Sequence, residues 1–179
     1  MLGGAGLTID TFELARTGAA RDGELPVLDM PRLASLLHDA DGALAWSLHA
    51  RREPRPEGGA DDFMRLAIDG TVSAGCVRCL GPVPVALSIE RSYRLVRSEE
   101  EAERLDLEDT EFDVIAGSRR FDLAELIEDE AIMALPPVVR HEDCAIPADP
   151  AADEVAADER PNPFAVLQRL RRDEGGNLN

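Results

Sequence analysis

The sequence predicts an α+β fold: an antiparallel, partly barrel-like sheet with one helix packed on it and a C-terminal helix docked at its edge. Three observations carry this expectation. Apolar and polar residues alternate at Leu7–Leu14, Leu44–Ala50 and Val83–Val96, the period of two that a half-buried strand requires. Asp69-Gly70 stands between two short apolar runs, and that dipeptide favours a type I′ hairpin turn because both central residues need positive φ. Asp122–Leu135 repeats its apolar residues at helical spacing instead. A chain of 179 residues suits one ordinary domain. The expected organisation is a single α+β domain over 1–144, an acidic mobile segment over 145–159, and a motif helix with a frayed tail over 160–179.

In chain order, Leu7–Leu14 is the expected opening strand and Arg21–Pro26 a turn region. Asp29–His38 is a short helix, with Asp29 as its cap, Pro31 in its first turn and Leu33, Leu36 and Leu37 facing inward. Leu44–Ala50 is a strand, and Pro54–Gly59 a loop. The run from Phe63 to Ala74 contains the Asp69-Gly70 turn and leads straight into Cys76. After Gly81-Pro82 comes a long strand whose Val85, Leu87, Ile89, Tyr93 and Leu95 share one face. Glu99–Leu105 allows a helical turn, and Glu111–Ile115 a short strand. Asp122 caps the main helix, with Glu125 three residues later as in a capping box. Leu123, Leu126, Ile127 and Ala131 form its apolar stripe, with Glu125, Glu128 and Asp129 on the other side. Pro136-Pro137 stops it. In the last helix Asn162 fits the N-cap and Pro163 the first helical position.

Composition narrows the function classes. No apolar run approaches the roughly 20 residues that span a bilayer, and Met1–Gly6 lacks the basic and apolar regions of a signal peptide. Three cysteines fit a reducing cytoplasm better than a disulfide framework. Residues 99–159 hold 21 Asp and Glu against 4 Arg, which accounts for the whole formal charge of −17. That surface repels nucleic-acid phosphates and suits basic partners, ribosomal proteins among them, or serves solubility alone.

One constellation carries metal chemistry. Cys76-Val77-Arg78-Cys79 is followed at once by Leu80-Gly81-Pro82, and the remaining cysteine lies in His141-Glu142-Asp143-Cys144. Two thiolates in a tight turn plus a second half-site offer four ligands, Cys76, Cys79, His141 and Cys144, to one structural zinc ion. The alternative is a pair of reduced cysteines at a hairpin, with His141 and Cys144 in a loop elsewhere. Thiol–disulfide catalysis fits worse, because such enzymes set C-x-x-C at a helix start and a helix cannot begin comfortably so close to Gly81-Pro82. Walker, G-x-S-x-G, H-E-x-x-H and dinucleotide-binding patterns do not occur, so no catalytic residue is assigned. Clustered positive charge is confined to the C-terminal helix. There Arg160, Asn162, Phe164, Arg169, Arg171 and Arg172 are candidate contacts for RNA or a protein partner, a solvated helix face being the simpler reading.

Three stretches together resemble a known bacterial family. They are Cys76-x-x-Cys79-Leu80, then Phe121-Asp-Leu with Glu128-Asp-Glu-Ala-Ile-Met-Ala-Leu-Pro136, then Arg160-Pro-Asn-Pro-Phe-Ala-Val-Leu167. In order and spacing they are similar to the large ribosomal RNA subunit accumulation protein family, also called YceD. The resemblance spans about Leu7 to Arg172. It implies a non-enzymatic factor in the synthesis, processing or stability of large-subunit ribosomal RNA, acting on a large-subunit precursor. It supplies no catalytic residue. Many relatives carry a fuller cysteine set near the third cysteine, where this chain has only Cys144 beside His141. The acidic charge adds a second expectation: a zinc-stapled adaptor that holds a basic ribosomal protein before assembly.

Overall fold

The computed structural model describes residues 7–145 apart from 108 and 110. It is α+β, with a five-stranded sheet that is antiparallel except at one edge. β1 (Thr8–Ile9) is followed by α1 (Thr11–Thr17) and β2 (Ala20–Pro26). A 3-10 turn at Val27–Asp29 leads into α2 (Pro31–Leu36). Three long strands follow: β3 (Ala43–Pro54), β4 (Ala60–Gly75) and β5 (Pro82–Val96). Then come α3 (Glu99–Asp106), β6 (Asp113–Ala116), β7 (Phe121–Asp122) and α4 (Leu123–Ala134). The sheet order is β2-β3-β4-β5-β6, with β6 parallel to β5, while β1 and β7 pair separately. The sheet stays open and does not close into a barrel.

One face of the sheet is the core. The register sets Trp46 opposite Ile68, Leu48 opposite Leu66 and Ala50 opposite Met64. Across the next seam Ile68 faces Ile89 and Met64 faces Tyr93. Leu14 and Ala15 of α1, Leu33 of α2, and Leu123, Ile127 and Ala131 of α4 complete this cluster. With few aromatics, the core gains its burial energy from many aliphatic side chains, at roughly 25 cal/mol per Å² of apolar surface. The opposite face is polar, and there Arg65 pairs with Glu90 at 2.6 Å.

The structure corrects several local expectations. Leu7–Leu14 is not one strand: the Asp10 side chain accepts the Glu13 N–H and starts α1 there. Arg21–Pro26 is not a turn but edge strand β2, whose polar residues suit a strand with a solvated edge. Asp29 does not cap α2; Met30 holds that position without a side-chain bond. Leu33 is buried, whereas Leu36 is exposed. Asp69-Gly70 is not a hairpin turn. Both residues lie inside β4, with Asp69 paired to Ser88 and Gly70 to Leu87. Glycine is needed at 70 for close approach, since a Cβ there would meet Leu44 Cδ2 at 2.6 Å.

Glu128, expected on the solvent side of α4, is in fact a buried anchor, and Glu130 is a second one. Glu128 accepts the backbone N–H groups of Arg32 at 2.6 Å and Leu33 at 3.0 Å, supplying the cap that Met30 lacks. Glu130 accepts the Tyr93 hydroxyl at 2.7 Å and Arg91 Nε at 3.1 Å. The Glu128-Asp129-Glu130 run thereby ties α4 to α2 and to β5.

β3 reaches only to Asp69 of β4, so Gly70–Gly75 and Pro82–Leu87 continue as a two-stranded ribbon. Its tip, residues 76–81, carries the cysteine pair.

Candidate metal centre

The ribbon tip is a tight, internally bonded turn. Cys76 N–H donates to the Gly81 carbonyl at 2.8 Å, and Leu80 N–H to the Cys76 carbonyl at 2.9 Å. Closing the turn puts Leu80 in the left-handed region at φ 61°, where a leucine is strained. Its side chain is 73% exposed, so packing does not compensate. The turn is also tied to the segment after α4. Val77 N–H donates to the Val139 carbonyl at 2.9 Å, and Arg78 Nη1 to the Cys144 carbonyl at 2.9 Å. These two bonds bring the half-sites together across more than 60 residues.

Cys76, Cys79, His141 and Cys144 converge: their ligand atoms all lie within 4.8 Å of one another. Cys76 Sγ is 3.7 Å from Cys144 Sγ, and Cys79 Sγ is 3.3 Å from His141 Nδ1. Zinc bonds of roughly 2.0–2.3 Å at tetrahedral corners place neighbouring ligands about 3.5–3.8 Å apart. The sulfur–sulfur separation falls within that range and the sulfur–nitrogen separation just below it. His141 Nε2 lies 3.0 Å from the Pro82 carbonyl; when it donates that bond, the Nδ1 lone pair is left facing the sulfurs.

The electrostatics favour a thiolate at the centre. Cys76 is fully buried, yet its pKa is pushed down to about 5, chiefly by the Cys79 backbone N–H. That bond outweighs burial, which acts the other way, and the Arg78 N–H at 3.4 Å adds to it. Cys144 is held above the ordinary thiol value, first by desolvation and then by the neighbouring sulfurs. A thiolate at Cys76 thus disfavours a second one at Cys144, 3.7 Å away, unless a cation lies between them. The donor set of three soft sulfurs and one imidazole suits zinc, and these four residues could hold such an ion.

The structure brings together the four residues that the spacing argument singled out. Spacing alone missed Arg78 and Pro82, which orient Cys144 and His141; Arg78 inside the C-x-x-C was the one available signal. Arg160, Asn162, Phe164, Arg169, Arg171 and Arg172 lie outside the described residues.

A family model described as Large ribosomal RNA subunit accumulation protein YceD matches residues 64–171. The chain belongs to the YceD family. A relative from Haemophilus influenzae, named Large ribosomal RNA subunit accumulation protein YceD, is 30% identical over 177 residues. That alignment covers 93% of this chain and 95% of the relative. No solved structure matches the chain. The YceD match begins in β4 and takes in both halves of the candidate metal centre and the whole of α4. The Glu128-Asp129-Glu130 part of the motif that carried the resemblance is thus a packing device.

Proposed function

We propose that this chain supports the accumulation of large-subunit ribosomal RNA as a non-catalytic binding factor, with zinc at the Cys76, Cys79, His141, Cys144 centre as a structural clamp. Membership of a family described by that role is the observation that carries the reading. The convergent ligand set supports the structural half of it. A metal with four protein ligands has no open position for substrate, so the centre's work is to hold the ribbon tip against residues 139–144.

The charge of residues 99–159 supports a second reading, in which the chain holds a basic ribosomal protein before assembly. Complementation tests both, and co-purification separates them. In cells lacking the gene, the wild-type chain restores large-subunit ribosomal RNA under either reading. Co-purification with precursor particles that ribonuclease abolishes supports the first. Salt-sensitive capture of a free ribosomal protein, indifferent to ribonuclease, supports the second. Failure of the wild-type chain to restore the RNA refutes both.

A further inference from the structure

Building on the reading that this chain serves large-subunit ribosomal RNA, we propose that the cleft between the β3–β4 turn, the end of β5 and α3 binds the phosphodiester backbone of single-stranded RNA, with Arg97 and Arg104 as its available cations.

The cleft has a volume of about 460 Å³. Five arginines line it, Arg52, Arg55, Arg94, Arg97 and Arg104, against three carboxylates, Asp61, Asp62 and Glu101. All three carboxylates are engaged. Asp62 takes both ends of Arg52 at 2.6 and 2.8 Å. Asp61 receives Arg94 at 3.0 Å and Arg55 at 3.2 Å. Glu101 accepts the Arg97 backbone N–H at 3.2 Å. Among the described residues no carboxylate pairs with the guanidinium of Arg97 or Arg104. The lining thus carries a local excess of positive charge in a chain of formal charge −17.

Two further features suit a nucleic acid. Arg97 is held over the Phe12 ring, with its guanidinium carbon 5.4 Å from the centroid. That contact fixes the guanidinium without consuming its N–H donors, which match phosphate oxygens as a fork. α3 also segregates its charge: Glu101, Arg104 and Leu105 line the cleft, whereas Glu99, Glu100 and Glu103 do not. Repulsion from the acidic surface elsewhere confines RNA contact to this cleft and makes it sensitive to salt.

The test is fluorescence anisotropy of a short labelled single-stranded RNA with the full-length chain, repeated over a salt series. Arg104→Glu is compared with Arg21→Glu, the same charge change on exposed strand β2, away from the cleft. The proposal expects Arg104→Glu to weaken binding about tenfold and to flatten the salt slope by about 0.7, with the thermal melt unchanged and Arg21→Glu close to wild type. Absence of binding at low salt overturns it, and so does equal weakening by the two variants. Displacement of the RNA by a nucleoside monophosphate would make this a nucleotide site, and displacement by polyglutamate an acidic-protein site; either overturns the assignment. In cells lacking the gene, restoration of the RNA by Arg104→Glu as fully as by wild type refutes the cleft but leaves the functional reading standing. Failure of the wild-type chain refutes the functional reading itself.

Discussion

Glu128→Ala should remove about 3 kcal/mol of folding stability, a large share of the roughly 5–15 kcal/mol that holds a domain together. α2 has six residues and its capping position, Met30, makes no side-chain bond. Its first N–H groups depend on Glu128, which receives those of Arg32 and Leu33 at 2.6 and 3.0 Å. Losing a side-chain cap costs about 0.5–2 kcal/mol, and a bond to a charged acceptor about 1.5–3. The Arg32 guanidinium at 2.8 Å adds little, because its side chain is 49% exposed and such pairs contribute at most about 1 kcal/mol. Asp129→Ala is the control: it pairs with the same arginine at 2.6 Å, but its side chain is 47% exposed, so its loss should cost under about 0.5 kcal/mol. Urea unfolding measures both. A Glu128→Ala cost below about 1 kcal/mol, or equal to that of Asp129→Ala, would refute the reasoning. The pH dependence gives a second check. Burial alone would raise the Glu128 pKa, but the Leu33 N–H and the Arg32 contacts hold it below its ordinary 4.5. A depressed carboxylate contributes fully above the unfolded value and loses that contribution as pH falls through the folded one. Wild type should therefore lose stability below about pH 4.5 more steeply than Glu128→Ala.

Three other outcomes are expected. Gly70→Ala should cost about 2 kcal/mol by overpacking, since the new Cβ would lie 2.6 Å from Leu44 Cδ2; an unchanged calorimetric melt would show that β3 and β4 can shift freely there. Leu80→Gly should stabilise the protein by about 1 kcal/mol, because glycine adopts the left-handed conformation without strain and the exposed leucine packs against little; a lower melting temperature would mean that its side chain supports the turn. Cys76→Ser should weaken the thiolate charge-transfer bands of cobalt-substituted protein by about a third or more and lower its melting temperature toward that of metal-stripped wild type. Bands of undiminished intensity would place the metal elsewhere.

Legibility in the sequence followed how local each cause was. The α4 start was legible because Asp122 caps its own chain three residues on. The β5 face was legible because alternation needs no partner to be recognised. The convergence of Cys76, Cys79, His141 and Cys144 was legible because two short spacings, each chemically distinctive, were the chain's only cysteine-bearing segments. Glu128 and Glu130 were not. Their partners lie up to 96 residues away, and on a helical wheel a buried carboxylate looks like a solvated one. Asp69-Gly70 misled for a related reason: a turn-forming dipeptide was overridden by strand pairing on both sides, and the glycine answered to Leu44. β2 was hidden by its polar composition, which an edge strand tolerates. The charge count pointed away from RNA because it summed residues 99–159 by sequence position, while the proposed Arg97 and Arg104 cleft arises from how carboxylates and arginines pair in space.

The zinc clamp proposed at the ribbon tip is tested most directly by metal content and X-ray absorption on full-length protein purified without chelators. The account predicts one zinc per chain with three sulfur neighbours and one nitrogen. A metal-free protein with the same fold and the same melting temperature would contradict it, as would a zinc site dominated by oxygen.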